Sequence, residues 1–197
     1  MRYFRPFAAA LFWTFSMFQT YGQESKPTKE ATFIFLKENF FSKEIIHLDY
    51  YHRNTSFWER WLYVYEFLPS SVVLTDCTLK LSYSTVRESS ASDSEKKTEK
   101  KGDFQLAVDF SRVESITISS SVRLKKDTTP DDVTKGNQLL ELVFREQAAS
   151  GKVTEKRIPI ASLDEADIAS FEENNKSYKA FKYLRKVCGG PEPIKFD

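Results

Sequence analysis

The sequence predicts an α+β fold, with a curved antiparallel β-sheet, or a small sandwich or barrel, closed by a C-terminal amphipathic helix and preceded by a short helix. Three observations predict it. Segments in the middle of the chain alternate apolar and polar side chains with period two, and turn-forming residues separate them. The final segment, Asn174 to Cys188, repeats its apolar residues every three to four positions instead. An earlier one, Ala31 to Phe41, carries Phe33, Leu36, Phe40 and Phe41 at similar spacing and reads as a helix, with an aromatic-rich strand as the alternative.

Composition bounds the rest. The chain has 197 residues, 41% hydrophobic and 15% aromatic, enough apolar surface for one core. Its 29 basic and 28 acidic residues leave a formal charge of +1, which excludes a globally basic nucleic-acid binder. Two cysteines exclude a disulfide-dense scaffold and a four-cysteine zinc site.

Residues 1–22 read as a secretory signal peptide. Arg2 and Arg5 open it, the apolar run FAAALFWTFSMF follows, and Thr20 and Gly22 provide a small-x-small exit. The run is shorter than the ~20 apolar residues of a spanning helix. Cleavage near Gly22 would leave a secreted or periplasmic protein with no later transmembrane segment. Residues 23–30 are a polar lead-in, 31–190 a single domain and 191–197 a tail.

Within that domain, Thr28 is a candidate cap for the helix at Ala31 to Phe41. From Ile45 to Leu68 the chain concentrates aromatic residues, and Trp61, Tyr63, Tyr65 and Phe67 alternate in a strand that Pro69 closes. Cys77 to Thr85, Phe104 to Phe110 and Ile116 to Leu124 alternate in the same way. Gln138 to Arg145 and Lys152 to Ile160 form a hairpin. Between two of these strands, RESSASDSEKKTEKKG (87–102) has no Ile, Leu, Val or Phe and reads as a flexible, solvated loop extending a hairpin. In the terminal helix, Tyr178, Phe181, Leu184, Val187 and Cys188 share one side, with Lys176, Lys179, Lys182, Arg185 and Lys186 towards the other. Gly189 and Gly190 stop it.

A curved antiparallel sheet followed by one amphipathic helix resembles the pleckstrin-homology-like superfold, over roughly Ser70 to Gly190. The ending SYKAFKYLRKVCGG is similar to the closing helix of small exported proteins of the Bacteroidota. The resemblance implies a domain that binds peptides or phospholipid headgroups and carries no catalytic motif. Cystatin-like and lipocalin-like arrangements also join a helix to a curved sheet.

Candidate sites are few. His47, Asp49 and His52 offer imidazole and carboxylate, but H-x-D-x-x-H matches no zinc signature, and neither a strand nor a helix puts all three on one face. The aromatic segment, Trp58, Trp61 and Tyr63 above all, either fills the core or presents flat faces to a glycan or peptide. Lys179, Lys182 and Arg185 on the terminal helix, with Lys156 and Arg157 as possible neighbours, either form a solvated face or attract an anionic headgroup. Cys77 and Cys188 either pair, in an oxidising compartment, or stay as two buried thiols. Asn54-Thr55-Ser56 and Asn175-Lys176-Ser177 are glycosylation acceptors by pattern. Nothing calls for a cofactor, a metal or a catalytic residue, since no nucleophile elbow, phosphate loop or dinucleotide fingerprint occurs. The sequence thus points first to an exported, non-enzymatic binding or assembly module of the cell envelope, with a protein, glycan or anionic headgroup as partner. A hydrolase with spatially assembled carboxylates or histidines and a carrier of small apolar ligands are the alternatives.

Overall fold

The structure, a computed structural model, describes residues 27–53, 56–92, 94–121, 133–134, 137–148, 150–163 and 168–191. The expected signal peptide and the stretch Val122 to Leu124 lie outside the described residues.

Helix α1 (Lys29–Asn39) begins where the Thr28 side chain accepts a hydrogen bond from the Ala31 N–H at 3.1 Å. Its inner side carries Leu36, and the chain beyond its end buries Phe40 and Phe41. Next come β1 (Glu44–Arg53) and β2 (Trp58–Phe67), paired antiparallel with a bulge between Leu48 and Tyr50. The single aromatic strand expected before Pro69 is therefore the second arm of a hairpin. A 3₁₀ turn at Pro69–Ser71 leads to β3 (Val73–Thr75), then β4 (Thr78–Ala91) and β5 (Ser94–Asp109). β6 (Val113–Ser121), β7 (Val133–Thr134), β8 (Gln138–Gln147) and β9 (Val153–Leu163) follow. The chain closes with α2 (Ile168–Asn174) and α3 (Lys176–Val187).

Among the described residues the strands make two antiparallel sheets, six-stranded and three-stranded, that do not join into a closed barrel. In the larger, β4 pairs with β5 along its whole length, so β2 and β3 must share its other edge, one after the other. β1 then pairs with β2, and β7 with β1. In the smaller sheet β8 lies between β6 and β9.

Helix α3 is amphipathic as expected, with Tyr178, Phe181 and Leu184 buried; Val187, expected on the same side, is 42% exposed. Phe181 is wholly buried and sits edge-on to Phe40, Phe41 and Phe144, with ring centroids 5.5, 6.0 and 5.7 Å away. Phe67 carries this aromatic core into the larger sheet through Phe41, at 5.2 Å. Edge-to-face pairs at such distances add to the burial of ring area. The helix ends on Gly189, whose φ of 72° favours glycine. A Cβ on Gly190 would lie 2.9 Å from the carbonyl oxygens of both Phe110 and Val113, so the chain can pass the start of β6 only as glycine. Cys188 is bonded to Cys77, with Cα atoms 5.7 Å apart, which resolves the two readings of that pair.

The charged segment 87–102 differs from expectation. It is not a loop: Arg87–Ala91 continues β4, and 94–102 lies within β5. β2 fixes β4 along one edge through Ala91, so β4 offers β5 a preformed ladder and no apolar burial is required. Cross-strand charges assist, with Arg87 2.6 Å from Glu99 and Lys96 2.7 Å from Glu88. Lys101 and Arg87 hold the Glu99 carboxyl below its ordinary range, the hydrogen bond from Lys101 contributing most. Among the described residues nothing pairs with the far edge of β5, and its lysines discourage another strand from adding there.

Candidate functional site

The aromatic strand β2 has two faces. Phe67, Tyr65, Tyr63 and Trp61 point inward by alternation, opposite Tyr83, Thr85, Arg87 and Ser89 of β4. Trp58, Leu62 and Val64 point outward, so Trp58 and Trp61, considered together in the sequence, lie on opposite faces.

The inward row is increasingly polar away from Phe67. Tyr65 is half-buried, and burial, followed by the charge of Glu141, pushes its hydroxyl up to about 12. The same causes raise Tyr83. Trp61 donates to Glu59 Oε1 at 2.7 Å, and the Arg87 guanidinium lies 4.9 Å from the centre of its ring. A cleft of about 230 Å³ beside them is lined by Trp61, Arg87, Ser89 and Lys97, among others. Thr85 Oγ1 and Arg87 Nε are buried without a hydrogen-bond partner among the described residues. Here Trp61 is already engaged by its own chain.

The outward row is apolar where an antiparallel sheet with one wet face would be polar. Register places Ile46 of β1 opposite Val64 of β2, and Val64 opposite Val86 of β4. Leu48 lies opposite Leu62 in the adjacent row. Ile46 is 55% exposed and Trp58 36%, while Leu48, Leu62, Val64 and Val86 are half-buried. Glu44 and Glu66 face each other at one margin, and Glu88 lies opposite Leu62. This patch was missed in the sequence because Ile46 and Leu48 belong to a strand not recognised there, and neither Val64 nor Val86 stands out alone.

The histidines fall differently from the strand reading. His47 is opposite Tyr63 and His52 opposite Glu59, so the bulge between Leu48 and Tyr50 returns both to the inward face. They are about 13 Å apart along the strand, too far to share an ion. Among the described residues no three His, Cys, Asp or Glu side chains gather to hold a metal. His47, 5% exposed, hydrogen-bonds through Nδ1 to Ser162 Oγ at 3.2 Å, and its Nε2 is 3.9 Å from Asp49 Oδ1. The His47–Ser162 bond ties β1 to β9, and so one sheet to the other.

On α3 the three basic candidates have separate roles. Arg185 donates from Nε to the Val113 carbonyl at 2.8 Å and from Nη2 to that of Pro191, clamping the helix end to β6. Lys182 sits 5.2 Å from the centre of the Tyr178 ring. Lys179 is exposed. Lys156 and Arg157 are engaged elsewhere. Lys156 bridges the buried Glu146 at 2.6 Å and the Ala107 carbonyl, while Arg157 meets Glu155 and Glu141. Asn175 caps α3 by accepting from the Tyr178 N–H at 2.8 Å, so its side chain is in structural use; Asn54 lies outside the described residues. No family model matches the chain, and neither a curated protein nor a solved structure does.

Proposed function

We propose that this chain is an exported, non-catalytic binding and assembly module of the cell envelope, pleckstrin-homology-like in architecture, that docks a protein partner through the outward face of its larger sheet. One observation carries the reading: β1, β2 and β4 set Ile46, Leu48, Leu62, Val64 and Val86 side by side on the face away from the core, with Trp58 beyond them. Folding covers these side chains only in part and leaves Ile46 and Trp58 exposed, and apolar area left at the surface in this way marks interaction sites. Glu44, Glu66 and Glu88 supply a polar rim.

The remaining parts of the reading have separate support. Arg2, Arg5 and the apolar run after them favour export, and the Cys77–Cys188 bond suits an oxidising compartment. The aromatic core is filled by interlocking phenylalanines, which favours surface binding over a carrier's internal cavity. No helix among the described residues is long and apolar enough to cross a membrane.

The test is site-specific photo-crosslinking in an exporting host, with the reactive residue at Ile46, Trp58 or, as control, Arg145 on β8. Discrete adducts with one protein should form from the first two positions, and Ile46→Glu should abolish the Trp58 adduct. Adducts of equal strength from Arg145, or none from Ile46, would reject the docking face.

A further inference from the structure

A furrow of about 530 Å³ runs between α1 and α3, within the range of ~300–1,000 Å³ found for small-molecule sites. Its α3 wall is Lys176, Lys179, Ala180 and Tyr183, positions i, i+3, i+4 and i+7 and therefore one helix face. Its α1 wall includes Ala31 and Phe35, one turn apart, and Pro27 lies at the start. Small residues on both helices, Ala31 and Ala180, keep the furrow open.

Polar groups in the lining are already occupied. The Thr32 hydroxyl donates to the Thr28 carbonyl at 2.8 Å, and the Tyr183 hydroxyl donates to the Pro27 carbonyl. What remains towards the furrow is methyl groups and aromatic rings. Among the described residues no carboxylate lines it. Lys176 and Lys179 are exposed, and neither ammonium has a carboxylate partner among the described residues. Lys182 and Arg185, by contrast, are held by Tyr178 and by backbone carbonyls.

An apolar furrow carrying two uncommitted cations and no anion is complementary to one ligand chemistry. We infer that it binds a free single-chain amphiphile with an anionic head, such as a medium- or long-chain carboxylate. The hydrocarbon lies along Ala31, Phe35, Ala180 and Tyr183, and the carboxylate meets Lys176 and Lys179. The site is a recess between two helices rather than a projecting surface, so the chain takes up a monomeric amphiphile rather than resting on a bilayer. None of these residues belongs to the outward sheet face, so failure of partner docking there leaves this site untouched.

Calorimetric titration of the chain purified from an exporting host tests it, using decanoate, decanol and decyltrimethylammonium below their aggregation concentrations. Decanoate should bind saturably with one site per chain, at least tenfold more tightly than decyltrimethylammonium. Lys176→Gln with Lys179→Gln should erase that difference while leaving decanol unchanged. Ala31→Trp, at an exposed position, should fill the furrow and weaken decanoate tenfold or more without moving the thermal midpoint. Equal affinity for both charged heads, or wild-type binding by Ala31→Trp, would overturn the proposal. So would flotation with anionic vesicles in the absence of decanoate binding, and so would a dimer that Ala31→Trp dissociates, because the occupant would then be a membrane or a second copy.

Discussion

The β4–β5 hairpin is continuous in backbone pairing, yet its root and its tip are held by different forces. At the root, Leu79, Leu81 and Val108 are at most 2% exposed and belong to the phenylalanine core. At the tip, residues 94–101 are all exposed, and the side chains that meet are Arg87 with Glu99 and Glu88 with Lys96. Antiparallel pairing reaches both ends, regular from Thr78 to Thr85 and with register shifts between Thr85 and Val86 and between Ser89 and Ala91 towards the tip. A strand can therefore be specified by burial or, where a fixed neighbour supplies the template, by hydrogen bonding and alternating charge. Between root and tip, Tyr65 and Tyr83 mark the zone where one mode gives way to the other.

The largest effect is expected in the core that anchors the root. Phe181 touches rings from the segment after α1, from the turn before β6 and from β8, so no single neighbour can relax to fill its place. Phe181→Ala should lower unfolding free energy by about 3–5 kcal/mol in denaturant titrations, as large aromatic truncations do. The Cys77–Cys188 bond must be kept oxidised in that comparison, since closure of so long a loop contributes about 5 kcal/mol in the chain-entropy picture. A loss below about 1 kcal/mol would mean that α3 does not close the core.

How far the sequence could be read follows the same division. Terminal-helix burial at Tyr178, Phe181 and Leu184 was legible, because apolar spacing reports burial directly. So were the β8–β9 hairpin and the Thr28 cap. The charged ribbon was not, because its strand character comes from the neighbouring β2–β4 pairing rather than from its own side chains. β1 was hidden for a related reason. Apolar on both faces, EIIHLDYY lacks the alternation that marks a half-wet strand, and its bulge breaks what period remains. Trp58, Trp61 and Tyr63 were visible as an aromatic group, but the assignment of Trp58 to one face and Trp61 to the other depends on register. The pairing of Cys77 with Cys188 and the contact of Ser162 with His47 join residues 111 and 115 positions apart, and local pattern is silent over such distances.

An intermediate effect is expected where root passes into tip. The Tyr65 hydroxyl is raised from 10.0 to about 12, chiefly by burial and then by Glu141. The folded chain therefore keeps a proton that the unfolded chain loses, and stability present below pH 10 declines as pH rises from 10 towards 12. Half-buried as the ring is, solvent screening holds this to about 1 kcal/mol. Tyr65→Phe should flatten the fall in unfolding free energy between pH 9.5 and 11.5, and should remove a late component from the tyrosinate absorbance titration. An unchanged slope would place Tyr65 in water and move the boundary back towards Phe67.

The smallest effect belongs to the tip. Glu88 meets Lys96 across the ribbon at 2.7 Å, with side-chain exposures of 26% and 60%, so solvent screens the pair and its loss should cost only about 0.5 kcal/mol. Glu88→Ala tests the contrast better than any larger truncation, because ionic strength separates the two modes. In about 1 M salt, where the Debye length falls to ~3 Å, the deficit of Glu88→Ala should disappear, while that of Phe181→Ala persists. A deficit at Glu88 above about 1.5 kcal/mol, or one indifferent to salt, would show that the ribbon is held by packing after all. The distinction between its two ends would then fail.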